Sequence, residues 1–183
     1  DSSTSSQYIS SLLLIAPKIS GGLKIQLTGR ETSKPYIDMT ISLLKKIGVQ
    51  ITTTENQISV YELKKIESKK HHIESDWSSA SYFYSVVALA KIGYSLRLSK
   101  FSFNSLQGDS KVANIYESFG VRTIYLDDLV ILKKIKSITH KFSFDLTSNP
   151  DLAQTICVTC LGLGIECNLT GLHTLKIKET DRL

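Results

Sequence analysis

The closing stretch KIKETDRL crowds Lys178, Glu179, Asp181 and Arg182 together just after the apolar alternation of CNLTGLHTLKI, where the pattern predicts the mouth of a helix. Cations there face the positive end of the helix macrodipole, and Lys178 with Arg182 at i,i+4 places like charges on one face. A Glu179–Arg182 surface pair would return only about 0.3–0.5 kcal/mol, so local stability does not select this arrangement. An anionic ligand held between Lys178 and Arg182, with Glu179 beside it as a proton carrier, removes the conflict.

Three further stretches carry similar chemistry. Ser5, Ser6 and Gln7 open an apolar helix, where hydroxyls and free backbone N–H groups can hold a phosphate or where one serine can serve as a cap. In TSKPYIDMT, Pro35 fits the first helical turn, Ser33 can cap or bind an anion, and Tyr36 adds a hydroxyl. Asp151, directly after Pro150, is a helix-start carboxylate that becomes a general base if a proton donor comes within hydrogen-bond reach. Two helix mouths of this kind close together in the chain point to a polyanionic ligand.

The elements that must position these groups recur along the chain. One unit, an apolar helix, a strand, an amphipathic helix ending in Gly and a hairpin, appears first as SSQYISSLLLIAP, LKIQLTG, PYIDMTISLLKKIGV and QITTTENQISVYEL. It returns as SSASYFYSVVALAKIG, SLRLSKFSF, GDSKVANIYESFGV and RTIYLDDLVILKK, and a third time as SNPDLAQTICVTCLGLG and IECNLTGLHTLKI, ending at KETDRL. Gly120 follows Gly48 by 72 positions (120 − 48), a period longer than the roughly 20–50 residues of stacked solenoids. The first helix of each copy is apolar nearly all round and belongs inside, whereas the hairpins alternate apolar with polar as sheets with one wet face do. The fold class expected is α/β, with buried helices and outer sheets.

Composition sets the outer bounds. The 183 residues are 42% hydrophobic, enough for one sizeable core or two small ones. A net charge of +5 permits anionic partners, but the lysines are scattered without a basic arm or an RNA-binding aromatic signature, so nucleic acid is not expected. No apolar run approaches the roughly 18 residues that span a bilayer, and DSSTSSQ lacks a signal-peptide pattern, so a cytoplasmic protein away from membranes is expected. Cys157, Cys160 and Cys167 are an odd number with only His173 near them, which reads as core thiols and not as a zinc site. The charged stretch KKIESKKHHIESD is the candidate inter-lobe linker or an ordinary solvated loop.

SSQ, SKPYIDMT, SSASYF, QGDS, NPDLA and KETDRL, in this order and at these distances, resemble the 5-enolpyruvylshikimate-3-phosphate synthase family. The resemblance covers essentially the whole chain and implies the middle portion of a protein more than twice as long. It implies two lobes, 1–75 and 76–183, of repeated β-α-β-α-β-β units in an inside-out α/β arrangement, neither lobe complete here. The implied reaction joins the enolpyruvyl group of phosphoenolpyruvate to the 5-hydroxyl of shikimate 3-phosphate and releases phosphate. No metal or organic cofactor is implied, the partners are the two small-molecule substrates, and the full-length protein is expected to be monomeric. By the same resemblance Ser5, Ser6, Ser33 and Tyr36 hold the shikimate 3-phosphate, and Gln7 contacts both substrates. Asp151 accepts the 5-hydroxyl proton, Lys178 contacts substrate at the reaction centre, Glu179 handles the proton at C3, and Arg182 binds phosphoenolpyruvate. Thr174 stands where many relatives carry an Asn ligand. Further substrate ligands of the family lie outside residues 1–183, so this chain alone is expected to be inactive. The alternatives are the related UDP-N-acetylglucosamine enolpyruvyl transferase, which generally uses a loop Cys, and a non-catalytic anion-binding repeat scaffold.

Overall fold

A computed structural model describes residues 1–3, 5–29, 32–65, 70–138, 140–177 and 180–182. Lys178 and Glu179 therefore lie outside the described residues. The first copy of the repeat comprises α1 (Ser6–Ile15), β1 (Leu23–Gln26), α2 (Lys34–Lys46), β2 (Ile51–Thr53) and β3 (Gln57–Val60). The second comprises α3 (Trp77–Leu89), β4 (Ser95–Ser99), α4 (Val112–Glu117), β5 (Val121–Leu126) and β6 (Leu129–Lys134). A third begins with β7 (Phe142–Asp145), continues through α5 (Ala153–Leu163) and β8 (Cys167–Thr170), and reaches a 3-10 turn at His173–Ile177.

Both three-stranded sheets have the same order, β1-β3-β2 and β4-β6-β5. The returning hairpin strand lies in the middle, antiparallel to both neighbours, with Ile25 opposite Ile58 and Ile51 opposite Val60 in the first sheet. The outer strands of each sheet are thus parallel, and α2 and α4 are the crossovers between them. Along β6 the buried positions alternate, Val130, Leu132 and Lys134, which puts one face of the sheet in the core. Lys134 reaches back to donate its Nζ to the Phe119 carbonyl at 2.8 Å, just past the end of α4. Burial holds its ammonium below the usual lysine range, and the carbonyls at the helix end are its electrostatic compensation.

Two local expectations are revised. The third copy starts one element earlier than its apolar helix: β7 pairs in parallel with β8, Phe142 opposite Cys167, and α5 crosses between them. The GDSKVANIYESFG helix opens as a 3-10 turn, Gly108–Lys111, before α4 proper. The helix start expected at Lys178 lies outside the described residues; beyond it, Arg182 donates its backbone N–H to the Leu175 carbonyl at 3.0 Å.

Apolar side chains form two clusters. One gathers Ile9, Leu13, Ile37, Ile41, Leu44, Ile58 and Val60 from the first copy. The other gathers Trp77, Tyr84, Tyr116, Phe119, Leu132, Phe142, Leu152 and Ile156 from the remainder. Within the second, α3 and α5 are registered by hydroxyls at i,i+4 on each helix: Ser81 pairs with Thr155 at 3.1 Å, and Thr159 donates to Ser85 at 2.8 Å. Each of the three apolar helices buries one side and leaves the other open, with Leu14 62%, Val86 53% and Leu161 81% exposed.

Gly48 and Gly120 end α2 and α4 with positive φ, as left-handed helix stops. A Cβ on Gly120 would collide with the Lys136 carbonyl oxygen, whereas one on Gly48 meets open space. Gly48→Ala is therefore expected to cost about 1 kcal/mol, the left-handed penalty alone, and Gly120→Ala at least about 2 kcal/mol more. Equal shifts in urea midpoint for the two variants would contradict this.

Candidate active site

The stretches singled out in the sequence meet where the two clusters face each other. Ser5 is the N-cap of α1, its side chain accepting the Gln7 N–H at 3.2 Å. Ser6 turns inward and is 7% exposed. Ser33 takes a left-handed backbone, φ 52°, immediately before α2, and its side chain makes no capping hydrogen bond. A non-glycine residue held in that region stores strain, and strain of this kind concentrates at ligand sites. The cap reading thus holds for Ser5 and fails for Ser33.

Two contiguous cavities result. One, of about 270 Å³, is lined by Ser6, Gln7, Ser10, Ser33, Tyr36, Thr40, Ser78 and Asp151. Most of these residues carry a hydroxyl or an amide, with one carboxylate, and Met39 adds an apolar side chain to the lining. The other, of about 600 Å³, shares Gln7, Ser78 and Asp151 with it and adds Ser5, Tyr8, Asp76, Ser79, Tyr82 and Arg182. The starts of α1 and α3 both open on it, the first N–H groups of α3 being already capped by Gln107 and Asp76. A further cleft of about 630 Å³ between α2 and the β5–β6 turn holds Tyr36 but none of the other candidate residues.

Asp151 sits in the 3-10 turn Pro150–Leu152 and contacts Arg182 Nη1 through its Oδ1 at 3.1 Å. Both are about one-third exposed, so the pair faces the cavity and water together. The Tyr36 phenol is raised above its ordinary pKa by burial first and by the Asp109 carboxylate next. It stays protonated at neutral pH and can act as a hydrogen-bond donor. Thr174 is brought to neither cavity: it is buried in the 3-10 turn, and its hydroxyl has no hydrogen-bond partner among the described residues. The structure therefore assembles Ser5, Ser6, Gln7, Ser33, Tyr36, Asp151 and Arg182, and leaves Thr174 apart.

Sequence reasoning passed over several members. Ser10 and Thr40 continue the faces of Ser6 and Tyr36 by one turn, and Thr40 donates to the Tyr36 carbonyl at 2.9 Å. That i,i+4 repetition was a usable signal. Asp76 caps α3, accepting the backbone N–H groups of Ser78 and Ser79 at 3.1 Å each. Burial raises its carboxyl, but the hydrogen bonds from Ser79 and Ser78 outweigh burial and hold it below its ordinary value. A depressed carboxylate contributes stability that is present above its unfolded pKa and is lost as pH falls through the lowered folded value, here below about pH 4. Asp76→Asn, which keeps a cap, is expected to flatten that acid limb in urea midpoints measured from about pH 6 to about pH 2.5. An unchanged limb would remove Asp76 as its source.

Thiol chemistry finds no support here. The three cysteines are free, Cys157 is exposed and not a core thiol as expected, and Cys160 is buried. Cys160 is pushed up, by burial first and by Cys167 next, so it carries no thiolate at neutral pH. No group of three His, Cys, Asp or Glu suited to a metal occurs among the described residues. Nor is any described helix long and apolar enough to cross a membrane.

The family model of EPSP synthase (3-phosphoshikimate 1-carboxyvinyltransferase) matches residues 1–183. The chain belongs to the EPSP synthase family. Curated relatives agree. A 3-phosphoshikimate 1-carboxyvinyltransferase of Bacteroides fragilis (strain YCH46) is 40% identical over 98% of this chain and 43% of its own length. One from Photorhabdus laumondii is 35% identical over 100% of this chain and 42% of its own length. The EPSP synthase of Acinetobacter baumannii shares the fold with a TM-score of 0.72, at 20% identity, over 97% of this chain and 41% of that one. The α/β arrangement of an EPSP synthase is thus established, and the chain spans less than half the length of these relatives.

Proposed function

We propose that residues 1–183 are the central part of a 3-phosphoshikimate 1-carboxyvinyltransferase of the shikimate pathway, with residues 1–75 in one lobe and 76–183 in the other. The observation that carries this reading is the convergence of Ser6, Gln7, Ser33 and Tyr36 from the first copy with Asp151 and Arg182 from the third around one pair of cavities. Shikimate 3-phosphate occupies the smaller cavity, its phosphate on Ser6, Ser33 and Tyr36 and reaching Ser5 at the edge of the larger one. Phosphoenolpyruvate takes the larger one, where Arg182 exchanges part of its contact with Asp151 for the incoming anion. Gln7, shared by both cavities, contacts both substrates.

In the reaction Asp151 accepts the proton of the 5-hydroxyl as its oxygen bonds to C2 of phosphoenolpyruvate, and C3 gains a proton. Loss of phosphate from the tetrahedral adduct, with return of a proton from C3, leaves the enolpyruvyl ether. Glu179 carries the C3 proton and Lys178 neutralises charge developing at the centre, roles that rest on the KETDR resemblance because both lie outside the described residues. Thr174 lines neither cavity, and the ligand role that the resemblance gives it draws no support from the geometry. The full-length enzyme is read as a cytoplasmic monomer that acts without metal or organic cofactor.

The test is phosphate release from phosphoenolpyruvate by the full-length enzyme. Release is expected with shikimate 3-phosphate as acceptor and not with UDP-N-acetylglucosamine, and no release with the former overturns the reading. Residues 1–183 alone are expected to release none.

A further inference from the structure

Asp109 is fully buried, 0% exposed, in the 3-10 turn Gly108–Lys111, and lines neither cavity of the candidate site. Its Oδ2 accepts the Ser78 hydroxyl at 2.6 Å, and its Oδ1 accepts Asn149 Nδ2 at 3.0 Å. Tyr36 lines the smaller cavity with Ser78, and its phenol is raised by burial first and by the charge of this carboxylate next. A buried carboxylate costs several kcal/mol unless hydrogen bonds satisfy its charge, so Ser78 and Asn149 are held to it tightly.

Ser78, Asn149 and Tyr36 belong to three different walls of the site. Ser78 stands at the start of α3 and lines both cavities. Asn149, 2% exposed, lies two residues before Asp151, and its backbone is fixed on both sides, the N–H to Leu146 (2.9 Å) and the carbonyl by the Leu152 N–H (3.2 Å). Tyr36 belongs to α2, in the first copy. The neighbouring Gly108 lets the pieces close up, because a Cβ there would stand 2.7 Å from Pro35 Cβ at the start of α2.

We infer that Asp109 is a positioning residue: without touching substrate, it fixes the Ser78 hydroxyl and the Asn149–Pro150–Asp151 turn relative to one another across the junction of the second and third copies. The inference rests on the proposed function only for the meaning of those walls. Asparagine at this position removes the charge and keeps one acceptor oxygen, so it can accept from Ser78 or from Asn149 but not from both, and the pairings that remain are neutral and weaker.

Asp109→Asn in the full-length enzyme is expected to lower kcat/KM for shikimate 3-phosphate by roughly 10–100-fold, through both kcat and KM. Combined with Ser78→Ala, the loss should be smaller than the product of the two single losses, because both act through one contact. Independent, multiplying effects, or a change of less than about two-fold for Asp109→Asn, overturn the inference. Should Asp109→Asn fail to fold, Asn149→Ala, which removes one hydrogen bond, takes its place in the cycle with the same two outcomes. A wild-type enzyme with no turnover defeats the functional reading instead, and the same cycle read in urea midpoints then decides: non-additive midpoints support Asp109 as the link, and additive ones overturn it.

Discussion

Asp151→Asn in the full-length enzyme is expected to lower kcat by about 10²–10⁴-fold, the range supplied by a positioned general base. The substitution is nearly isosteric, and the amide oxygen can still accept from Arg182, so the turn Pro150–Leu152 and the cavity wall persist. What disappears is the capacity to take the 5-hydroxyl proton. The expected signature is a fall in kcat with KM for both substrates changed by only a few fold, which marks an interaction made in the transition state. Steady-state kinetics with both substrates varied would show it. A large rise in KM with kcat preserved would instead make Asp151 a binding group.

Trp77→Ala carries the largest expected cost in stability, about 3–5 kcal/mol. Trp77 is 0% exposed at the first position of α3, its ring edge-on to Phe101 with centroids 4.9 Å apart. Its indole N–H donates to Glu74 Oε1 at 2.9 Å, and its backbone N–H donates to Gln107 Oε1 at 2.9 Å. Truncation opens a cavity in the second cluster and leaves the Glu74 carboxylate one donor short. Urea unfolding followed by far-ultraviolet circular dichroism measures the loss. A destabilisation below about 1 kcal/mol would mean that the indole is not a pillar of this core. Because Ser78 and Ser79 follow Trp77 directly, the same residue that closes the core also seats one wall of the candidate site.

The parts of the fold legible in the sequence were those with local periodicity. The apolar stripe Ile37, Ile41, Leu44 followed by Gly48 announced α2 and its stop, and the alternation of QITTTENQISVYEL announced the β2–β3 hairpin. β7 escaped because its four residues have too short an alternation, and its partner β8 lies beyond α5. Apolar composition said that α1, α3 and α5 belong inside but not which face each buries, since that depends on neighbours far along the chain.

At the site, residue types were legible and geometry was not. Ser33 carried the same sequence signal as a cap and turned out to be a strained left-handed residue with its hydroxyl left uncapped. The ion pair of Asp151 with Arg182 joins residues 31 positions apart, beyond any local pattern. Asp109 stood in a quoted stretch, QGDS, yet nothing in its neighbours on the chain shows that it reaches Ser78 and Asn149.

The central claim is that the hydroxyl-lined cavity between the two copies holds shikimate 3-phosphate, and calorimetric titration of that ligand into the full-length enzyme tests it most directly. Each hydrogen bond lost to a charged phosphate is worth about 1.5–3 kcal/mol, so Ser33→Ala and Tyr36→Phe should each weaken binding roughly 10–150-fold. Wild-type affinity in both variants would contradict the account.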